Sequence, residues 1–244
     1  MSAPLLTGLS VVVPARNEAE RLGRCLASIA TAIEEYAATP DAVPVDVVIA
    51  LDSCTDDSAS VVAGHPHSRG VEVLARSVGR ARNAAVRSAR TLSCAGPGLH
   101  WLAMTDADSR VPRHWLTTQA ALARDGVDVV VGTVEPDPAD LDLPTLRRWE
   151  SRHDLREGHG HVHGANLGFS LAAYDRVGGF PAARRQEDVA FVQRARSLGL
   201  RVRATDLHRV TTSGRRSGRA PGGFAAYVRD LDTEASRGPV PSTP

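Results

Sequence analysis

Over its first half the chain repeats one pattern: a short run of branched apolar residues, a turn, then a helix-forming segment. Leu9-Ser10-Val11-Val12-Val13 is such a run, closed by Pro14, and its continuous apolar character marks a strand buried on both faces. Glu18 to Tyr36 then carries Leu22, Leu26, Ile29 and Ile33 at spacings that share one helix face, with Asn17 placed to cap it. Val45 to Leu51, Val71 to Leu74, Leu99 to Met104 and Val127 to Val134 read as further strands. Helices are expected from near Thr55, over Gly79 to Leu92 and over Pro112 to Ala123, the last with proline in its first turn, where a missing N–H costs little. Such alternation predicts an α/β fold: a mainly parallel central sheet with helices on both faces.

The second half is less regular. Leu143 to Glu157 reads as a helix, Asn166 to Ser170 as a short strand followed by a helical turn through Tyr174, and Gly178-Gly179-Phe180-Pro181 as a turn. Glu187 to Leu198 reads as a helix, Leu200 to Ala204 as a strand, and Gly222 to Ser236 as a last helix. The sequence contains no internal repeat. One domain over residues 1–236, with a disordered tail over 237–244 rich in Pro, Gly, Ser and Thr, is the economical description.

Composition narrows the partners. The net charge of +1 gives no electrostatic reason to expect nucleic acid. All 29 cationic residues are arginine, a coding-bias signature, so arginine clusters carry little weight as functional signals. Cys25, Cys54 and Cys94 are widely spaced and odd in number, which argues against a disulfide framework or a zinc site and for buried reduced thiols. The N-terminus has no basic region followed by a long apolar stretch, so no signal peptide is expected, and no apolar run approaches the ~20 residues of a membrane span. A cytoplasmic location is therefore expected, with peripheral contact to a membrane surface left open.

The chemistry gathers after the strands. Asp52 follows the second, and Asp106 and Asp108 follow the fourth. In an open parallel sheet, ligands bind outside the carboxyl ends of strands, so sequence-distant acids can converge there. Loop acids are also ordinary turn and cap residues. Thr105-Asp106-Ala107-Asp108-Ser109 is more pointed: two carboxylates at i and i+2 repel unless a cation or hydrogen bonds relieve them. Mg²⁺ and Mn²⁺ prefer oxygen ligands, and Mg²⁺ is typically held by one or two carboxylates plus substrate phosphates.

Several motifs then follow in order: Val12-Val13-Pro14-Ala15-Arg16-Asn17-Glu18, Leu51-Asp52-Ser53-Cys54-Thr55-Asp56-Asp57-Ser58, Gly79-Arg80-Ala81-Arg82-Asn83 and Thr105-Asp106-Ala107-Asp108. Gly164-Ala165-Asn166-Leu167-Gly168, Gly178-Gly179-Phe180 and Gln186-Glu187-Asp188 complete the series. Each is loose alone. Together, over about residues 8–216, the series resembles family-2 glycosyltransferases, whose fold is the GT-A type.

That resemblance implies a nucleotide-sugar-dependent glycosyltransferase taking a UDP- or GDP-sugar, with Mn²⁺ or Mg²⁺ as cofactor. It implies that Pro14, Arg16 and Glu18 line the nucleotide pocket and that Asp52 contacts the nucleobase. Asp52 matches the second Asp of the family's D-D-x-S-x-D pattern; Leu51 replaces the first Asp, and Ser53-Cys54 replace the usual Gly-Ser, so uridine and guanosine both stay open. Arg80 and Arg82, at a helix N-terminus, are candidates for the diphosphate. Asp106 is implied to contact ribose or metal, and Asp108 to bind the metal directly. Asp188 matches the general base that takes the proton of the attacking hydroxyl, the inverting route. Gly164, Asn166 and Glu187 fall on the acceptor side.

His208 is a candidate third metal ligand, because some relatives carry one near that place. His159, His161 and His163 alternate, so extended backbone would put them on one face; they suggest an acceptor-side loop, with metal binding as the alternative. Thr212-Ser213-Gly214-Arg215-Arg216 reads either as a lid or anion-contacting loop over the diphosphate or as a plain exposed loop. Two other functions stay open. A sugar nucleotidyltransferase usually shows a G-x-G-x-R loop where this chain has Pro14-Ala15-Arg16-Asn17-Glu18. A non-catalytic nucleotide-sugar-binding module is disfavoured by the joint presence of Asp106, Asp108 and Asp188. Retaining stereochemistry and the acceptor's identity are likewise open.

Overall fold

The computed structural model describes residues 5–92, 98–182, 186–218 and 223–236. Cys94 and the expected tail over 237–244 lie outside them. The described residues form an eight-stranded sheet with helices on both faces. In chain order its elements are β1 (Leu6–Ala15), α1 (Ala19–Ala37), β2 (Val45–Asp52), α2 (Ser58–Ala63), β3 (Ser68–Val73), α3 (Val78–Leu92) and β4 (Leu99–Met104). They continue with β5 (Ser109–Arg110), α4 (Trp115–Arg124), β6 (Val129–Pro136), α5 (Leu143–Arg152), β7 (Leu167–Ser170), α6 (Leu171–Val177), α7 (Glu187–Ser197), β8 (Val202–Thr212) and α8 (Phe224–Ser236).

The strand order is β3-β2-β1-β4-β7-β6-β8-β5. β3, β2, β1 and β4 are parallel, β7 runs antiparallel to both β4 and β6, and β8 runs parallel to β6. The chain leaves β1 toward β2 and β3, then returns to place β4 on the other side of β1. The carboxyl ends of β1 and β4 therefore flank a reversal of strand order, the place where such sheets bind ligands.

Period-two alternation in β1 divides the core. Val11 and Val13 pack with Leu22, Cys25, Leu26 and Ile29 of α1 and Trp115 and Leu116 of α4. Val12 faces the other layer, with Ala81, Ala85 and Val86 of α3 and Phe169, Phe180 and Phe191. Cys25 is a buried free thiol and Cys54 a partly buried one.

Three local expectations change. Asn17 does not cap α1: its side chain bonds Thr55, and Asp56 accepts the Ala19 N–H at 2.9 Å instead. The fifth helix ends at Arg152, short of Glu157. β8 runs on to Thr212 because its end pairs with Val134–Pro136 of β6 on one side and with β5, an edge strand too short to show periodicity, on the other. No helix among the described residues is long and apolar enough to cross a membrane.

Candidate active site

A cleft of about 680 Å³ opens at the carboxyl ends of β1, β2 and β4. Pro14, Arg16 and Glu18 line it from the β1 loop, Asp52 from β2, Asp106 and Asp108 from the turn after β4, and Arg215 from beyond β8. The backbone is strained around it. Among the described residues the non-glycine positive φ angles belong to Asn17 (52°), Ser53 (55°), Arg76 (46°) and Gln186 (59°). They follow β1, β2 and β3 and precede α7, the loop positions where backbone strain concentrates at functional sites.

Asp52 is buried, and its carboxylate organises the loop before α3. Oδ1 accepts the N–H groups of Ala75 and Arg76, each at 2.8 Å, and Oδ2 accepts that of Ser77 at 2.9 Å. The nucleobase role implied by the resemblance is thus preceded by a structural one. Arg76 and Ser77, held in this way, line the cleft themselves. Arg80, one turn further on, is exposed and is not among the cleft-lining residues.

Arg82 differs from its expected place. It is buried, and its two terminal nitrogens are spent on carboxylates: one on Asp106 Oδ1 at 2.9 Å, the other on Glu187 Oε1. Burial works against its charge, but Asp106, Glu187 and Asp188 outweigh that and raise its pKa. Burial pushes the Glu187 carboxyl up, with Arg82 pulling against it. Arg82 is therefore an internal strut and not a free phosphate contact.

The geometry around that strut explains the glycines. A Cβ on Gly164 would lie 2.0 Å from Arg82 Nη2, and one on Gly79 would lie 2.5 Å from the Pro181 carbonyl oxygen. Asn83 bonds the main chain of Phe180 in both directions, which fixes the Gly-Gly-Phe turn beside α3. That turn leads toward α7, whose first turn carries Glu187 and Asp188. Asp188 is half-buried; its Oδ2 accepts the Gly164 N–H at 2.7 Å and its Oδ1 that of Val189 at 2.8 Å.

The Asp106–Asp108 turn is crowded with negative charge. Burial pushes the Asp108 carboxyl up to about 6; Arg215 pulls it down, while Asp106 and Glu18 add to the rise. Arg215 grips Glu18 bidentately, at 2.7 and 2.8 Å, and reaches Asp108 Oδ2 at 2.8 Å. Thr212 and Ser213 pack against the same turn: the Ser213 N–H donates to the Asp108 carbonyl at 3.2 Å. Sequence reading placed Arg215 in a loop over the diphosphate or in a plain exposed loop, and held no signal of its pairing with Glu18 and Asp108.

Two expected site residues lie elsewhere. Asn166 is fully buried: its Oδ1 accepts from Trp115 Nε1, and its Nδ2 donates to the carbonyls of Thr133 and His208. It ties β6 and β8 together with both amide hydrogens, and its burial closes it off from an acceptor. His208 is also fully buried, on β8 four residues before Thr212, whose hydroxyl meets Asp108. Burial drives His208 down to about 4.

The alternating histidines do share a face. The His159, His161 and His163 rings follow one another at 5.9 and 6.1 Å between centroids, and His161 meets His153 at 5.4 Å. Both carbonyls facing His159 Nε2 belong to the sheet. Among the described residues, no group of three or more His, Cys, Asp or Glu side chains is disposed to hold a metal ion alone. What the Asp108 turn offers is hard carboxylate oxygen on an open cleft, which suits a hard divalent cation completed by ligand phosphates.

A model of glycosyl transferase family 2 matches residues 10–185. Among solved structures, S. aureus TarS (residues 1–349) in complex with UDP-GlcNAc is 16% identical, with 93% of this chain and 66% of that one covered and a TM-score of 0.64. Mannosyltransferase PcManGT from Pyrobaculum calidifontis, in complex with GDP-Man and Mn²⁺, is 21% identical, with coverages of 98% and 66% and a TM-score of 0.63. Glucosyl-3-phosphoglycerate synthase from Mycobacterium tuberculosis, with Mn²⁺, UDP and glucosyl-3-phosphoglycerate, is 17% identical, with coverages of 96% and 82% and a TM-score of 0.55. At such identities the likeness is one of fold, and this chain spans about two thirds of the first two proteins' length. No curated protein matches the chain.

Proposed function

The chain belongs to glycosyl transferase family 2, and we propose that it moves a sugar from a UDP- or GDP-sugar to an acceptor hydroxyl, with inversion and with a divalent cation. The observation that carries this reading is the Arg82 strut. It joins Asp106, at the nucleotide end of the cleft, to Glu187, beside Asp188. One buried cation thereby fixes the spacing between the two acidic motifs, as in-line displacement requires of a leaving-group site and a base. The UDP-GlcNAc, GDP-Man and Mn²⁺ bound by the neighbouring folds support the donor class and the metal.

In this mechanism the β1 loop and the 75–77 loop hold the nucleotide. Asp108 and Asp106 would hold the cation, which when bound would neutralise charge on the departing diphosphate. Asp188 accepts the acceptor's proton as the hydroxyl oxygen bonds the anomeric carbon. The bond from that carbon to the diphosphate oxygen breaks, and the diphosphate leaves with the electron pair. The N–H groups of Gly164 and Val189 hold the Asp188 carboxylate in a fixed orientation while leaving it lone pairs for this proton.

Calorimetric titration of UDP, GDP and dTDP with Mn²⁺ or EDTA, with slow donor-sugar hydrolysis followed in parallel, tests the reading. The expected result is metal-dependent binding of one diphosphate and loss of that dependence in Asp108→Ala. Equal affinity with and without metal in the wild type would remove the cation from the proposal. Binding of none of the three would remove the donor.

A further inference from the structure

The cation nearest Asp108 is Arg215, and its surroundings show how it can act. Its neighbours on both sides are anchored. The Ser213 hydroxyl and the Gly214 N–H donate to Asp140 Oδ2 at 3.0 and 2.9 Å. Arg216 pairs with Asp232 on α8 at 2.7 Å and with Asp142 at 3.3 Å. The Arg215 backbone is therefore held in place, and its long side chain alone is directed back into the cleft, onto Glu18 and Asp108.

A divalent cation reaching Asp108 Oδ2 meets a guanidinium already 2.8 Å from that oxygen. Bringing two positive groups together there is unfavourable unless an anion arrives to take one of them. A nucleoside diphosphate supplies that anion on the same side of the cleft, and a guanidinium suits phosphate oxygens as well as carboxylate ones.

We propose that Arg215 is a resident counter-ion of the Glu18–Asp108 pair that yields Asp108 to the cation and turns to the diphosphate, so that cation and nucleotide bind together and each weakly alone. This rests on the donor reading above and adds a role for one side chain. The exchange is a swing of the guanidinium and involves no opening of the 213–218 segment. Thermodynamic linkage makes the coupling reciprocal: the factor by which Mn²⁺ tightens UDP or GDP is the factor by which the nucleotide tightens Mn²⁺.

The experiment measures free Mn²⁺ by electron paramagnetic resonance, with and without UDP or GDP, in the wild type, Arg215→Gln and Arg216→Gln. The wild type is expected to bind Mn²⁺ at least about tenfold more tightly with its nucleotide than alone, within the usual range of coupled sites. Arg215→Gln is expected to bind Mn²⁺ alone more tightly than the wild type and to lose most of the coupling. An unfolded variant cannot produce that gain. Arg216→Gln loosens the same segment without touching the carboxylates and is expected to match the wild type. Arg215→Gln binding Mn²⁺ alone no better than the wild type, or Arg216→Gln producing the same gain, would overturn the proposal while leaving nucleotide binding in place. A wild type that takes up neither nucleotide overturns the donor reading, and this inference falls with it.

Discussion

Arg82 Nη2 lies 2.9 Å from the Asp106 carboxylate while Nη1 of the same guanidinium pairs with Glu187, 105 residues on in sequence. The Arg82 side chain is only 3% exposed and that of Glu187 6%, against 35% for Asp106, so Glu187 depends on it most. Arg82→Gln is expected to lower stability by about 3–5 kcal/mol, the usual cost of breaking a buried pair from one side. Adding Glu187→Gln should recover part of that loss without restoring transfer, because Asp106 keeps no partner from this strut. Urea unfolding of the single and double variants checks it; an additive double variant would mean that the two residues do not communicate.

Asp188→Asn should keep the fold and the donor affinity and lower kcat by roughly 10²- to 10⁴-fold, the range of general base catalysis. The amide oxygen can still accept one N–H, from Gly164 or Val189, but it cannot hold the transferred proton. If Asp188 serves only the start of α7, the loss is about 0.3–1 kcal/mol of stability with turnover nearly intact. Measuring kcat and Tm on one preparation separates the two.

Asp52 has a double expectation. Its three backbone hydrogen bonds hold Ala75, Arg76 and Ser77. Asn at this position would turn an NH₂ group toward at least one backbone N–H. Asp52→Asn should therefore cost about 2 kcal/mol, as for lost hydrogen bonds to a charged group, and raise KM for the donor more than it lowers kcat. Unchanged stability, found by urea titration, would show that the 75–77 loop does not need this carboxylate.

Acid should loosen the fold through His163 and His208, which burial depresses to about 4 from the usual 6.5. A depressed histidine binds fewer protons folded than unfolded, so its contribution is present above pH 6.5 and lost as pH falls toward 4. Asp108, raised to about 6, works the other way in part of the same window, since folding favours its neutral form. Burial raises Glu187 like Asp108 but also depresses His100 and His161 like the other two histidines, so the histidines outnumber the carboxyls and leave a net loss. The urea midpoint should fall between pH 7 and pH 4.5, and His208→Leu should flatten that fall. At pH 7 the same substitution should leave the midpoint level or higher, because both His208 ring nitrogens are buried without a partner among the described residues. A wild-type midpoint that is flat with pH would contradict the assignment.

Sequence by itself determined the parts governed by local periodicity. The runs at β1, β2 and β4, and the apolar face of α1 through Leu22, Leu26 and Ile29, gave the strand–helix alternation, because a buried strand and an amphipathic helix impose different repeats on adjacent residues. The acids after those strands could be placed at one edge because parallel strands all end there. Tertiary structure alone decided what each charged group faces. Asn166 and His208 carry plausible chemistry in sequence, yet the pairing of β6 with β7 and β8 seals them inside. Arg82 and the segment that carries Arg215 read in sequence as neighbours of the diphosphate, yet one becomes the strut between Asp106 and Glu187 and the other the partner of Glu18 and Asp108. The pairing of Ser109 with Thr212 brings Arg215 to residues near the start of the chain. Electrostatic partnership depends on distance in space, and between residues 18 and 215 the sequence holds no local signal of that distance.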